Sequence, residues 1–158
     1  MGRTEITQGS KAEIYAQLVQ QVSSLVSAET DIVANMANVA ALIHETFHFW
    51  WTGFYRVSGN ELILGPFQGP LACTRIKFGR GVCGTAWATR MTQVVPDVEQ
   101  FPGHIACSSQ SRSEIVVPIF SKKGQVIAVL DIDSQYLHTF DDVDKCYLEQ
   151  IVKLLYKA

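Results

Sequence analysis

Charge is sparse in this chain, and basic charge is the sparser kind. Only 18% of the residues are charged, thirteen lysines and arginines against fifteen aspartates and glutamates, for a formal charge of −2. No basic run or stripe is present to neutralise a phosphate backbone, which excludes nucleic acid as an expected partner. Long apolar runs are also missing, and nothing approaches the roughly 20 residues that cross a bilayer as a helix. The opening Met1-Gly2-Arg3-Thr4-Glu5-Ile6 lacks the apolar centre of a signal peptide. It also misses the myristoylation pattern, which needs Ser or Thr where Ile6 stands. A cytoplasmic location is the expectation. Four cysteines occur, at 73, 83, 107 and 146, but no two form a C-x-x-C pair, so zinc ribbons and thioredoxin-like centres are disfavoured. Repeats, linkers and low-complexity tracts are absent.

What is present reads as one packed unit. Hydrophobic residues make up 47% of 158, and a chain of this length buries about two-thirds of the surface its unfolded form exposes. We expect a single domain over 1–158, with its core at about 10–156. Ser10 and Glu13 suit a capping box, after which Ile14, Leu18, Val22 and Leu25 recur at helical spacing. Thr30 or Asp31 caps a second helix carrying Ile32, Met36, Ala40, Ile43 and Phe47. Phe49 to Val57 then reads as a strand, Ser58-Gly59-Asn60 as a turn and Glu61 to Leu64 as a second strand. Residues 71–78 read as another strand, broken by Gly79-Arg80-Gly81 before a short helix over 82–89. Asp97 to Ser111 has no periodicity and reads as a long loop, a frequent home of function. Ser113–Phe120 and Gln125–Asp133 form a hairpin. Thr139 with Asp142 caps a last helix whose inner face is Val143, Tyr147, Ile151 and Leu154. Helices, then antiparallel strands, then a helix predict an α+β domain; a doubly wound sheet would need regular alternation.

The hairpin gathers acid. With Lys122-Lys123 as a two-residue loop, Glu114 faces Asp131; with Lys123-Gly124, it faces Asp133. Either register puts Glu114, Asp131 and Asp133 on one sheet face, because side chains alternate with period two. Opposed like charges are unfavourable, so such a trio implies a ligand or a shared proton; a solvated sheet face is the alternative. A three-residue loop would send Glu114 to the other face. On the aromatic strand, Trp51 and Tyr55 share one face and Trp50 and Phe54 the other, and either pair suits a core or a pocket wall. Cys107 sits in the irregular Gly103-His104-Ile105-Ala106-Cys107-Ser108-Ser109, where a reactive thiol is favoured over one on an apolar helix face. Cys83 falls at a helix start, which favours a thiolate. Cys73 belongs to a short apolar strand, and Cys146 reads as a small core residue on the buried side of the last helix. His104 and Cys107 with Cys73 and Cys83 match no zinc spacing, so no metal is expected.

Several of these segments resemble one family in order and spacing. Trp50-Trp51-Thr52-Gly53-Phe54-Tyr55, Leu64-Gly65-Pro66-Phe67-Gln68-Gly69, Gly79-Arg80-Gly81-Val82-Cys83-Gly84-Thr85-Ala86, Ser113-Glu114-Ile115-Val116-Val117-Pro118 and Leu130-Asp131-Ile132-Asp133-Ser134 are similar to the free methionine-(R)-sulfoxide reductases. These are GAF-domain enzymes acting on the free amino acid. The resemblance spans roughly residues 10 to 156 and implies a central antiparallel sheet flanked by helices. It implies Cys107 as the attacking cysteine, Cys73 as the main resolving cysteine and Cys83 as a third that can exchange disulfides. It places Glu114, Asp131 and Asp133 as pocket carboxylates, with Trp51 and Tyr55 as an aromatic wall. The implied activity is an oxidoreductase acting on a sulfur group with a disulfide as acceptor, regenerated by thioredoxin or a dithiol without organic cofactor or metal. It also allows a homodimer. Since many GAF domains are ligand sensors, a non-catalytic module binding a small ligand such as a cyclic nucleotide is the rival reading. Three cysteines at the reductase positions, and no expected output domain, weigh against it.

Overall fold

The computed structural model describes residues 9–104, 107 and 110–156. The amino-terminal reading of Met1 to Ile6, and the neighbours Ile105, Ala106, Ser108 and Ser109 of Cys107, lie outside the described residues. Two helices come first, α1 over Lys11–Ser27 and α2 over Ile32–Phe47. Each starts where a side-chain oxygen satisfies an orphan backbone N–H: Ser10 accepts from Glu13 and Asp31 from Ala34. Strands β1 (Trp51–Ser58), β2 (Glu61–Gln68) and β3 (Arg75–Lys77) follow, then helix α3 (Gly81–Thr89) and β4 (Gln93–Val95). A single 3-10 turn at Val98–Gln100 leads through the irregular segment to β5 (Ser113–Phe120), β6 (Val126–Ser134) and α4 (Asp142–Leu155). The strands make one antiparallel sheet in the order β3-β2-β1-β6-β5-β4. The domain is α+β, as the order of elements predicts.

Both faces of the central strands are covered. One face sends Phe54, Ile115, Val117, Ile119, Leu130 and Ile132 into a core shared with α1, α2 and α4. Burying each such side chain contributes about 1.5–3 kcal/mol. The opposite face carries Trp51, Tyr55, Val116 and Val129, under α3 and the segment before it. A polar bond ties the helical layer together: Tyr15, fully buried, donates its hydroxyl to Asp144 at 2.5 Å, and Lys11 Nζ lies 2.7 Å from the same carboxylate.

Several expectations are corrected. The strand expected over 71–78 shrinks to Arg75–Lys77, and Cys73 lies in irregular chain before it. There the Pro70 and Cys73 carbonyls accept from the side chains of Trp51 and Tyr55. The cap of α4 is Asp141, in a capping box with Asp144, rather than Thr139 with Asp142. The Thr139 hydroxyl is already bonded to Ser134 Oγ at 2.6 Å and to the Tyr136 carbonyl at 3.1 Å. The buried line of α4 is Asp144, Leu148, Ile151, Val152 and Leu155, with Val143, Tyr147 and Leu154 flanking it. Cys146 is therefore exposed, not buried: two residues from Asp144 it is turned about 200° away.

The hairpin turn also differs from both two-residue loops. Ser121 N–H bonds to Gln125 O and Gly124 N–H to Ser121 O, with Gly124 at φ +79°. This is a three-residue loop whose left-handed position glycine fills without strain. Phe120 pairs with Val126, but Ile119 pairs with Ala128, so Ile127 is an extra residue. That bulge moves the register by one and places Glu114 opposite Asp133.

Candidate active site

Of the residues singled out in the sequence, Trp51, Tyr55, Cys83, Cys107, Glu114, Asp131 and Asp133 line a single cavity. Alternation along β1, β5 and β6 puts the aromatic pair and the three carboxylates on the same sheet face. Pairing brings Trp51 beside Asp133, Gly53 beside Asp131 and Glu114 beside Asp133. Helix α3 closes the far wall with Cys83, and the irregular segment supplies His104, Cys107 and Ser111. The free volume is about 50 Å³, room for a few water molecules.

Cys73 completes the set by a covalent bond. It forms a disulfide with Cys107, with Cα atoms 5.5 Å apart and a sequence separation of 34. The pairing implied by the resemblance is thus the one observed. Two cavity aromatics hold the segment that carries Cys73. Trp51 Nε1–H donates to the Pro70 carbonyl at 3.1 Å, and the Tyr55 hydroxyl donates to the Cys73 carbonyl at 2.9 Å. The chain enters this segment at Gly69, φ +131°, where a Cβ would stand 2.9 Å from Trp51 Cδ1 and 2.8 Å from the Trp50 carbonyl. Glycine is required for so close an approach. Trp51 in turn stacks on Tyr55 and Phe67, ring centroids 5.8 and 5.2 Å away.

Electrostatically the cavity is short of countercharge. Glu114 and Asp131 are each 6% exposed, and the described ion pairs involve Lys11 and Arg75, not these acids. Burial pushes Glu114 well above the usual carboxylate range, and the charges of Asp131 and Asp133 push it further. Asp133 is raised well above that range by burial and by Asp131, although Ser111 Oγ donates to it at 2.7 Å. Asp131 is raised too, by burial, but hydrogen bonds from Glu114 and Cys83 favour its ionised form. Of the three, Glu114 and Asp133 are held furthest toward the protonated form, and Asp131 is the one whose hydrogen bonds favour charge. Burial also lifts the Cys83 thiol well above its ordinary value, Asp131 and Glu114 adding to the effect. This corrects the expectation of a thiolate at the start of α3: desolvation beside carboxylates outweighs the helix terminus. Tyr55 is raised by burial first and by Asp131 second, so its hydroxyl remains a donor. His104 is lowered by burial, keeping its ring neutral.

Sequence reasoning missed Ser111 and Arg80. Ser111 lies outside the strand, where parity says nothing. Arg80, the only lysine or arginine among the described lining residues, sits at the cap of α3, and nothing in its place between two glycines marks it in the sequence. Cys83, Glu114 and Asp131 have ligand atoms within 4.8 Å of one another, the one such group with metal-holding geometry among the described residues. His104 and the disulfide cysteines do not join it.

An antiparallel sheet with α1, α2 and α4 on one side and a cavity beneath α3 on the other is the frame of a chain that belongs to the GAF domain family, whose profile matches residues 12–158. GAF domain-containing protein A of Dictyostelium discoideum is 58% identical over 152 residues, covering 96% of each chain. The free methionine-R-sulfoxide reductase of Saccharomyces cerevisiae is 45% identical over 157 residues, covering 94% of this chain and 87% of that protein. A crystal structure of free methionine-R-sulfoxide reductase from Neisseria meningitidis, in complex with its substrate, superposes with a TM-score of 0.95 at 54% identity, covering 98% of this chain and 93% of that one. Within the GAF fold, the chain belongs to the family of the free methionine-R-sulfoxide reductases. No helix among the described residues is long and apolar enough to cross a membrane.

Proposed function

We propose that the protein reduces free methionine-(R)-sulfoxide to methionine, with Cys107 as nucleophile and Cys73 as resolving cysteine. The observation that carries this reading is the Cys73–Cys107 disulfide at the edge of a buried acid cluster. A sulfoxide sulfur becomes a useful electrophile only when its oxygen takes up a proton, and Glu114, pushed well above the usual carboxylate range by burial and by Asp131 and Asp133, suits that donor role. The Cys107 sulfur attacks the sulfur of the protonated sulfoxide, the S–O bond breaks and its oxygen leaves as water; water then attacks the Cys107 sulfur, the new S–S bond breaks and methionine leaves. The net change gives methionine and Cys107 sulfenic acid. The Cys73 thiol then displaces water from the sulfenic acid, forming the disulfide. An external dithiol, thioredoxin in our reading, reduces that bond and needs no organic cofactor or metal.

The acid cup suits a free amino acid. Asp131, with Asp133 beside it, attracts the substrate ammonium, a charge that a peptide bond would abolish. Arg80 and the amino-terminal end of α3 suit the carboxylate. Trp51 and Tyr55 offer ring edges to the methylthio end. Cys83, protonated and buried, serves as a reserve thiol for disulfide exchange. The protein works in the reducing cytoplasm, where such a disulfide turns over, and a homodimer is compatible with this chemistry.

The test is incubation of the pure protein with racemic methionine sulfoxide and a dithiol. We expect only the R epimer at sulfur to disappear, with Cys107→Ser inactive. Cys73→Ser should still release the first methionine but recycle more slowly than the wild type. Equal consumption of both epimers, or full turnover by Cys107→Ser, would overturn the assignment; a cyclic-nucleotide sensor would show no turnover at all.

A further inference from the structure

We propose that the acid cup is also a site for one soft divalent cation of the zinc and cadmium class, held by the Cys83 thiolate together with Glu114 and Asp131. Their ligand atoms converge within 4.8 Å, and all three residues are buried, Cys83 at 4% exposure and the two acids at 6%. An independent observation that suits a cation is Asp131 Oδ1, which lies buried without a hydrogen-bond partner although its residue lines the cavity. A buried carboxylate oxygen left unpaired is costly, and a metal ion is one of the few groups that resolves it. The donor set is selective. One sulfur with two carboxylate oxygens suits zinc or cadmium, whereas calcium and magnesium call for oxygen alone and for more of it. The free volume of about 50 Å³ fits a cation with a water or two.

The Cys73–Cys107 disulfide leaves this triad untouched. The site therefore exists in the oxidised protein. On binding, the Cys83 S–H bond breaks, a sulfur–metal bond forms and the proton goes to water. Glu114 gives up its proton in the same way, and no atom changes oxidation state. The cation would occupy the volume where, on the reductase reading above, the sulfoxide and its ammonium bind. That consequence rests on the reductase reading; the metal site itself does not.

The experiment uses oxidised protein, in which the described free thiols are Cys83 and the exposed Cys146, titrated with cadmium ion and followed by thiolate-to-cadmium absorption in the ultraviolet. We expect saturation at one equivalent, persistence in Cys146→Ser and loss in Cys83→Ser. Glu114→Gln should weaken binding at least about tenfold, since even a partner one shell out from a metal is worth that much. A band that survives Cys83→Ser, or that fails to saturate, overturns the proposal. Wild-type protein gives a check free of variants: zinc ion should release at least one proton per cation bound, and no release would refute thiolate ligation. None of these readings needs turnover, so they stand or fall apart from the reductase assignment. In reduced, active protein, zinc should raise KM for the sulfoxide without changing kcat. Zinc bound with KM unmoved would overturn the competition.

Discussion

Removing one hydroxyl, by Tyr55→Phe, separates the two chemical steps proposed above. The Tyr55 ring is 2% exposed and stacks on Trp51, and both features survive in phenylalanine. What is lost is the 2.9 Å bond to the Cys73 carbonyl, one of two side-chain bonds that hold the 69–74 segment over the cavity. A neutral hydrogen bond of this kind contributes about 0.5–1.5 kcal/mol net. If all of it orders the segment, the fraction of time Cys73 spends within reach of Cys107 falls about two- to twelvefold. The attack of Cys107 on the sulfoxide does not involve that segment. In a single turnover without reductant, the methionine burst should keep its rate, while closure of the disulfide slows about two- to twelvefold. Sulfenic acid trapped by dimedone should rise in step. A variant whose burst slows while closure keeps its rate would show that the hydroxyl serves the substrate and not the loop.

Reducing the Cys73–Cys107 bond, whose partners lie 34 residues apart, frees chain entropy in the unfolded state worth about 4 kcal/mol. Tm by calorimetry should fall by roughly 10 °C on reduction, and an unchanged Tm would mean the reduced unfolded chain is equally restricted. Glu114 is raised in the folded state above its ordinary value of 4.5, so the native protein binds the extra proton. Its stabilising effect is complete below that value and lost as pH rises through the folded pKa. Glu114→Gln should then raise Tm at neutral and alkaline pH and leave it unchanged near pH 4, whereas a Tm gain equal at both would show that charge is not the cause. Asp144, 1% exposed and bonded to Tyr15 and Lys11, should cost about 1.5–3 kcal/mol in denaturant unfolding when changed to Asn. Methionine release per turnover should stay normal in that variant, since Asp144 lies on the helical side of the sheet.

Much of the fold could be read from the chain, and the exceptions share causes. Leu18 and Val22 of α1 and Ile151 of α4 are buried as their spacing predicts, but the other positions expected inside both helices are one residue off. Helical spacing of apolar residues points inward at Ile14, Leu25 and Val143, yet the buried positions include Tyr15, Val26 and Asp144. One bond explains both: Tyr15 and Asp144 face each other across the two helices, so a phenol and a carboxylate occupy inward positions that an apolar count assigns to their neighbours. The same spacing puts Cys146 inside, although it is exposed. Strand β4, three residues long, is too short for alternation to register. The Cys73 segment is not a strand because its carbonyls are taken by aromatic side chains from β1, a long-range contact with no local trace.

Whether three acids converge in the cup was decided near the hairpin turn, far from the acids themselves. The Lys122-Lys123-Gly124 loop holds three residues between its paired ends, and continued without interruption it would set Glu114 opposite Ile132, facing the apolar core under α1 and α4. Charge buried there without a partner would be severely destabilising. The extra residue at Ile127 restores the pairing of Glu114 with Asp133. Loop and bulge are each a shift of one, and period two makes the sum, not either alone, decide the face. Hydrophobic alternation in β5 had already fixed the answer: Ile115, Val117 and Ile119 must all point to the helices, so Glu114 and Val116 cannot. Core burial selects the register, the bulge absorbs the mismatch with the turn, and the carboxylates are left facing the one side of the sheet where a cation or a shared proton can meet them.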